Sequence, residues 1–225
     1  MEHSEDDEEE HPHVPFDDSC SSLLHFGRME ALRRTLEGSH HQWHVFNQLL
    51  DTIITATKCG HGYIGEVVVK DGKRFMSVLA LTNVSWSPES NALVVPKDLL
   101  SEVKDGKPGL LTYAIWREKP FICADIGKHP MRGGQPPGHP PIKSLLSMPF
   151  YYGRKLVGVL SLGNREVGFC NENIKQIQET LDFLGFMVIL SKDVQLPEFI
   201  PYENSQKNTK SLYLIRRLMH ISCRI

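Results

Sequence analysis

The chain has 225 residues, of which 40% are hydrophobic and 23% charged, and a formal net charge of −2. That length suits one domain with extensions or two small ones, and the composition is that of an ordinary globular protein, not a disordered chain or a disulfide scaffold. The longest uncharged apolar run, 183–190, falls far short of the roughly 20 residues a membrane helix needs, and the acidic start lacks the basic and apolar regions of a secretory signal, so neither span nor leader is expected.

Residues 1–21 read as a disordered acidic head. The first twenty positions hold nine acids and no Lys or Arg, including an unbroken run from Glu5 to Glu10, and such blocks repel and stay solvated. Residues 22–40 form a helical lead-in. Leu24, Met29, Leu32 and Leu36 share a face over 23–36, and Gly38 stops the helix. Ser39 caps a second helix running to about residue 58, with Trp43, Phe46, Leu50, Ile53 and Ile54 at helical spacing.

The period then changes. Residues 63–70 and 73–86 are β-rich and joined by Asp71-Gly72, a strong hairpin signal. After an irregular link, Pro108 opens a third helix with Leu110, Leu111, Ala114 and Ile115 on its apolar face, closed by Pro120. Residues 121–124 form a short strand. The segment 127–141 holds four glycines and five prolines and must be loop. Residues 144–152 and 155–162 make a second hairpin around Gly153-Arg154. A single last helix is expected over 172–190, capped by Asn171. Its second half is apolar nearly all round, so a partner beyond the sheet must cover it, either the N-terminal helix or a second chain. Antiparallel hairpins between helices indicate an α+β domain with a central antiparallel sheet. The domain is assigned to 41–192, and 193–225 to a linker and basic tail.

Residues 206–225 carry five bases and no acid, which leaves the middle of the chain close to neutral. Without a basic face, no nucleic-acid partner is expected. The cysteines, Cys20, Cys59, Cys123, Cys170 and Cys223, are odd in number and widely spaced. They favour reduced thiols and a cytoplasmic setting.

Several motifs invite chemistry. Gly60, Gly62 and Gly65 match the dinucleotide pattern, but they follow a helix and enter a strand, the reverse of what pyrophosphate binding needs. His40 and His44 stand one helical turn apart beside His41, yet zinc wants three or four ligands and no third partner is at hand, so no metal is expected. Cys123 reads as a core thiol, since nothing nearby lowers its pKa. Asp125 closes its strand and either caps the loop or faces a ligand.

The stretch from Gly109 to Phe169 resembles a GAF domain. The match is carried by the helix ending in Glu118-Lys119-Pro120, the strand leading to Asp125, the loop from Gly133 to Pro141, the run Ser144-Leu145-Leu146-Ser147-Met148-Pro149, the hairpin ending in Gly163-Asn164-Arg165, and Phe169 before the closing helix. It looks most like the GAF domains that accompany two-component sensor histidine kinases. The resemblance implies a central antiparallel sheet, flanking N- and C-terminal helices, and a non-enzymatic module that binds a small molecule and signals through dimer helices. The ligand and any cofactor stay unknown. Cyclic-nucleotide-binding members carry Asn-Lys, Phe and then Asp-Glu, whereas this chain has Asn164-Arg165, Phe169 and Asn173-Ile174. Bilin attachment would want a cysteine beside His139, and the reductases of this fold use clustered cysteines. A pocket between the sheet and the segments 87–120 and 126–143 would draw on Trp86, Thr112, Asp125, Ser144 and Ser147. The alternatives are a degenerate scaffold for dimerisation or docking, and a truncated sensor kinase. The tail 210–225 loosely resembles a kinase dimerisation helix but has Cys223-Arg224 where a His-Glu pair would stand.

Overall fold

A computed structural model describes residues 14–37, 42–82, 100–104, 109–132 and 141–193. In chain order these form α1 (Ser19–Glu37), α2 (Gln42–Thr57), β1 (His61–Lys70), β2 (Lys73–Leu81), β3 (Leu100–Glu102), α3 (Leu110–Arg117), β4 (Phe121–Cys123), a 3-10 turn (Ile126–Lys128), β5 (Leu145–Tyr152), β6 (Lys155–Gly163), α4 (Asn171–Gln176) and α5 (Gln178–Asp193). The strands make one six-stranded antiparallel sheet in the order β3-β2-β1-β6-β5-β4. The α+β class with a central antiparallel sheet is therefore as expected.

Both hairpins stand where their turn residues place them. Asp71 and Gly72 have φ of 51° and 73°, the paired positive values a two-residue turn between twisted strands demands. The helices α2 and α5 cover one sheet face, with α1 packed on both, over a core that includes Phe46, Leu50, Ile53, Ile64, Leu146, Met148, Phe150, Leu160, Leu162, Leu184 and Val188. On the other face α3 lies over a smaller cluster of Tyr63, Val67, Met76, Ala114, Ile115 and Val159.

Four expectations change. First, α1 begins at Ser19 and Phe16 is only 4% exposed, so residues assigned to the acidic head belong to the folded body. Second, α1 buries Cys20, Leu24, Gly27 and Ala31, leaving Met29 and Leu36 exposed. The reason is close packing: a Cβ on Gly27 would sit 2.7 Å from Thr52 Cγ2 on α2. Third, β2 ends at Leu81, and the rest of the expected strand, with Trp86, lies outside the described residues. Fourth, the last helix is two helices. Cys170, not Asn171, is the N-cap of α4, because the buried Asn173 side chain turns back to accept the Cys170 N–H at 2.8 Å. The chain breaks at Ile177 (φ −100°, ψ 0°), which stays buried while α5 swings onto the sheet. Ser39, His40, Pro108 and the tail 194–225 lie outside the described residues.

The apolar half of α5 is covered within the chain. Gly185 lets its backbone touch β5, where an added Cβ would land 2.0 Å from the Tyr151 carbonyl oxygen. Arg28 of α1 donates to Thr180 Oγ1 at 3.0 Å and Glu179 at 2.8 Å. Phe183, Phe186 and Ile189 remain half-buried against the same core.

Two surface carboxylates, Asp17 beside Lys58 and Glu30 within α1, carry an acid-sensitive part of the stability. A bond from Lys58, helped by Ser19, holds Asp17 down to about 2, and Arg33 with Arg34 does the same for Glu30. Both folded values lie below the ordinary carboxylate values near 4. Their stabilisation is therefore complete above that range and is lost as the pH falls toward about 2. A melting series from pH 6 to about 2 should show this loss, and Lys58→Ala should remove the larger part of the Asp17 share, leaving what Ser19 contributes.

Candidate functional site

The site is built on the sheet face turned toward α3. Strand register lines up Leu81, Tyr63, Ser161, Ser147 and Phe121 across β2, β1, β6, β5 and β4. Because side chains alternate faces along a strand, this row shares the face of Val159, against which α3 packs Ala114 and Ile115. At its centre the buried hydroxyls of Ser147 and Ser161 lie 2.8 Å apart, each able to donate to the other. The Tyr63 ring is accommodated by Gly65, where a Cβ would stand 2.5 Å from it. Burial raises the Tyr63 phenol well above its usual value and keeps it neutral.

At the β4 end the row runs into an aromatic triad. Tyr113 of α3, Phe121 and His129 pack mutually edge-on, with centroid distances of 4.7, 5.6 and 5.1 Å. His129 Nδ1 accepts the Met131 N–H at 3.1 Å, which places the proton of a neutral ring on Nε2. Arg117 lies 5.7 Å over the Tyr113 ring and donates to its hydroxyl at 3.2 Å.

The described residues among the five named from sequence have different surroundings. Ser147 is at the centre of the row. Thr112 is buried and its hydroxyl donates to the Gly109 carbonyl at 3.0 Å, closing the first turn of α3. Asp125 has its side chain 49% exposed. It accepts the Gly127 N–H at 2.9 Å and pairs with Lys128 at 3.6 Å, so it caps the 3-10 turn. Ser144 is buried just before β5, and its carbonyl accepts the Asn164 N–H at 3.0 Å. Trp86 lies outside the described residues. Sequence reasoning missed Tyr63, Ser161, Tyr113, Phe121 and His129. Only strand register joins Ser161 to Ser147, and no spacing along the chain reveals it.

Asn164 organises the edge of the site. In the left-handed region at φ 57°, it accepts the Lys143 N–H at 2.7 Å and donates to the Pro141 carbonyl at 2.9 Å. It thus fixes the return of the Gly/Pro loop. Among the described residues no group of three His, Cys, Asp or Glu side chains is placed to hold a metal. None of their helices is long and apolar enough to cross a membrane. Cys20, Cys59, Cys123 and Cys170 are all buried, and burial pushes the Cys20 and Cys59 thiols up to about 11.

Solved structures share this architecture. The GAF domain of an Acinetobacter phosphoenolpyruvate-protein phosphotransferase is 17% identical and superposes with a TM-score of 0.58 over 79% of this chain and 97% of its own. The corresponding domain from Coxiella burnetii is 15% identical, with a TM-score of 0.57 over 77% and 96%. A free methionine-R-sulfoxide reductase from Neisseria meningitidis, solved with its substrate, is 12% identical, with a TM-score of 0.56 over 80% and 96%. No curated protein matches the chain in sequence. At these identities the likeness establishes the fold alone. The model of the GAF domain family, however, matches residues 44–188, a span that takes in both hairpins, α3 and the aromatic triad, and on that match the chain belongs to the GAF domain family.

Proposed function

We propose that this GAF domain is a non-catalytic sensory module that takes a small molecule on the α3 side of its sheet and signals through helices at a homodimer contact. The observation that carries the reading is the buried Ser147–Ser161 hydroxyl pair between the rings of Tyr63 and Phe121. Such a row carries hydroxyls and aromatic surface with no net charge, a chemistry that suits a small neutral ligand. Thr112, Asp125, Ser144 and Trp86 are proposed around it. On the opposite face Glu66 of β1 pairs with Lys192 in the last turn of α5, a link from sheet to helix. α1 exposes Leu23, Phe26, Met29 and Leu36, with Phe26 67% exposed, and this stripe is the proposed contact between two copies. Kinship with sensor-kinase GAF domains rests on the loop and strand motifs alone. A cytoplasmic location is proposed from the cysteine pattern.

A thermal-shift screen against cyclic nucleotides, haem, bilins and small metabolites tests the reading. A ligand at 100 times its dissociation constant stabilises by about 2.7 kcal/mol. No shift, together with a dimeric mass, favours a pure scaffold. Burial pushes the Cys20 and Cys59 thiols up to about 11, which makes these two poor nucleophiles. Turnover of free methionine sulfoxide that vanished in Cys123→Ala would overturn the non-catalytic reading.

The serine pair gives a sharper test. Ser147→Ala leaves the Ser161 hydroxyl buried without its partner and should cost about 1–3 kcal/mol, while replacing both should be nearly neutral. Denaturant titration measures both. If the pair binds ligand, the double variant keeps its stability and loses the ligand-induced shift.

A further inference from the structure

The chain just before α1 is held more thoroughly than a chain end requires. Arg165 Nη1 donates to the carbonyl oxygens of Val14 at 2.7 Å and Gly168 at 2.9 Å, and Nη2 donates to that of Pro15 at 2.8 Å. Gln176 reads both backbone groups of Phe16. Its Oε1 accepts the Phe16 N–H at 2.7 Å and its Nε2 donates to the Phe16 carbonyl at 3.0 Å. Asn173 Nδ2 lies 3.4 Å from the Val14 carbonyl. The Phe16 ring sits in the core beneath the Arg165 guanidinium, 5.0 Å away, while Val14 and Pro15 remain exposed.

This is how a receptor reads an extended peptide. Proline has no N–H, so its one backbone polar atom is the carbonyl, and Arg165 takes it. Every backbone polar group of Pro15 and Phe16 is satisfied by a side chain, with no partner strand. Proline also restricts the residue before it to extended conformations, which lowers the entropy lost on binding. Specificity then rests on one aromatic pocket. Arg165 is itself buried, so its guanidinium is held in place over the segment it binds. The groove lies at the β6–α4 junction, away from the serine row.

We propose that Arg165, Gly168, Asn173 and Gln176 form a peptide-binding groove for extended apolar-Pro-Phe segments. It is occupied in cis by residues 14–16 and opens to such a segment of a partner protein when that strap is displaced.

The test uses the full chain carrying Phe16→Ala and a fluorescent acetyl-Val-Pro-Phe-Asp-Asp-amide peptide. The variant should bind the peptide about tenfold more tightly than the unchanged chain, because the cis competitor has lost its anchor. Gln176→Ala or Arg165→Lys in that background should weaken binding about tenfold, and a scrambled peptide should not bind. A folded Phe16→Ala chain, by circular dichroism, that ignores the peptide overturns the proposal. So does binding that is insensitive to Gln176. A second measurement needs no variant: millimolar peptide added to the unchanged chain should speed hydrogen exchange at the Phe16 amide without changing the β6 amides. An unchanged Phe16 rate overturns the proposal even if Phe16→Ala fails to fold.

Discussion

Gly185→Ala should destabilise the protein by about 3 kcal/mol, the upper end of overpacking costs. The sign is informative, because glycine to alanine inside an ordinary helix gains up to about 1 kcal/mol. Here the new methyl would meet the Tyr151 carbonyl oxygen at 2.0 Å and its carbon at 2.8 Å. Both atoms are backbone in a paired strand, so no rotamer change relieves the clash. Either α5 lifts from the sheet or β5 distorts, and Leu184 and Val188 leave their sites in both cases. Thermal melts should show a loss of roughly 2–4 °C per kcal/mol for a chain of this size. Leu111→Ala, at an exposed position on α3, serves as the neutral control.

Phe150→Ala should cost about 3–5 kcal/mol. Phe150 is buried on the helix-covered face, and its ring fills the space left by the missing side chain of Gly158. A Cβ at Gly158 would come within 2.1 Å of the ring and 2.5 Å of the Gly65 carbonyl oxygen. The second contact is with backbone, so Gly158→Ala should not rescue Phe150→Ala. Chemical denaturation of the single and double variants measures this. The effect should fall on stability and leave ligand-induced shifts intact, since Phe150 points away from the serine row.

What the sequence shows plainly is whatever depends on neighbours along the chain. The Asp71-Gly72 turn, the β-rich runs of β5 and β6 around Gly153-Arg154, and the apolar faces of α2 and α3 are local, and they fix an α+β fold with little ambiguity. Met29 and Leu36 mislead because helical period alone cannot tell that Gly27, without a side chain, is what turns toward α2. The helix break at Ile177 is hidden for a similar reason. Nothing between Gln176 and Gln178 is a helix breaker, and the break follows from how α4 and α5 pack. For the site, Ser147 is legible as a serine in an apolar strand. Its partner Ser161 is set by β5–β6 register, and Tyr113 and His129 are brought to Phe121 only by the turns on either side of β4.

The central pairing of the sheet has a consequence for assembly. β1 and β6 are neighbours, with Ile64 opposite Leu160, yet the whole of β2 to β5 lies between them in the chain. Each hairpin can close on its own, and the two must then join along their inner strands. Of the strand pairings, that step carries the largest loop-closure cost and delays completion of the sheet until β6 has been made. A nascent chain that has reached β5 exposes the inner edge of β1, with Ile64 and Val67 beside it and no strand to cover it. In the cell, that interval is when this protein most needs protection from pairing with its own copies.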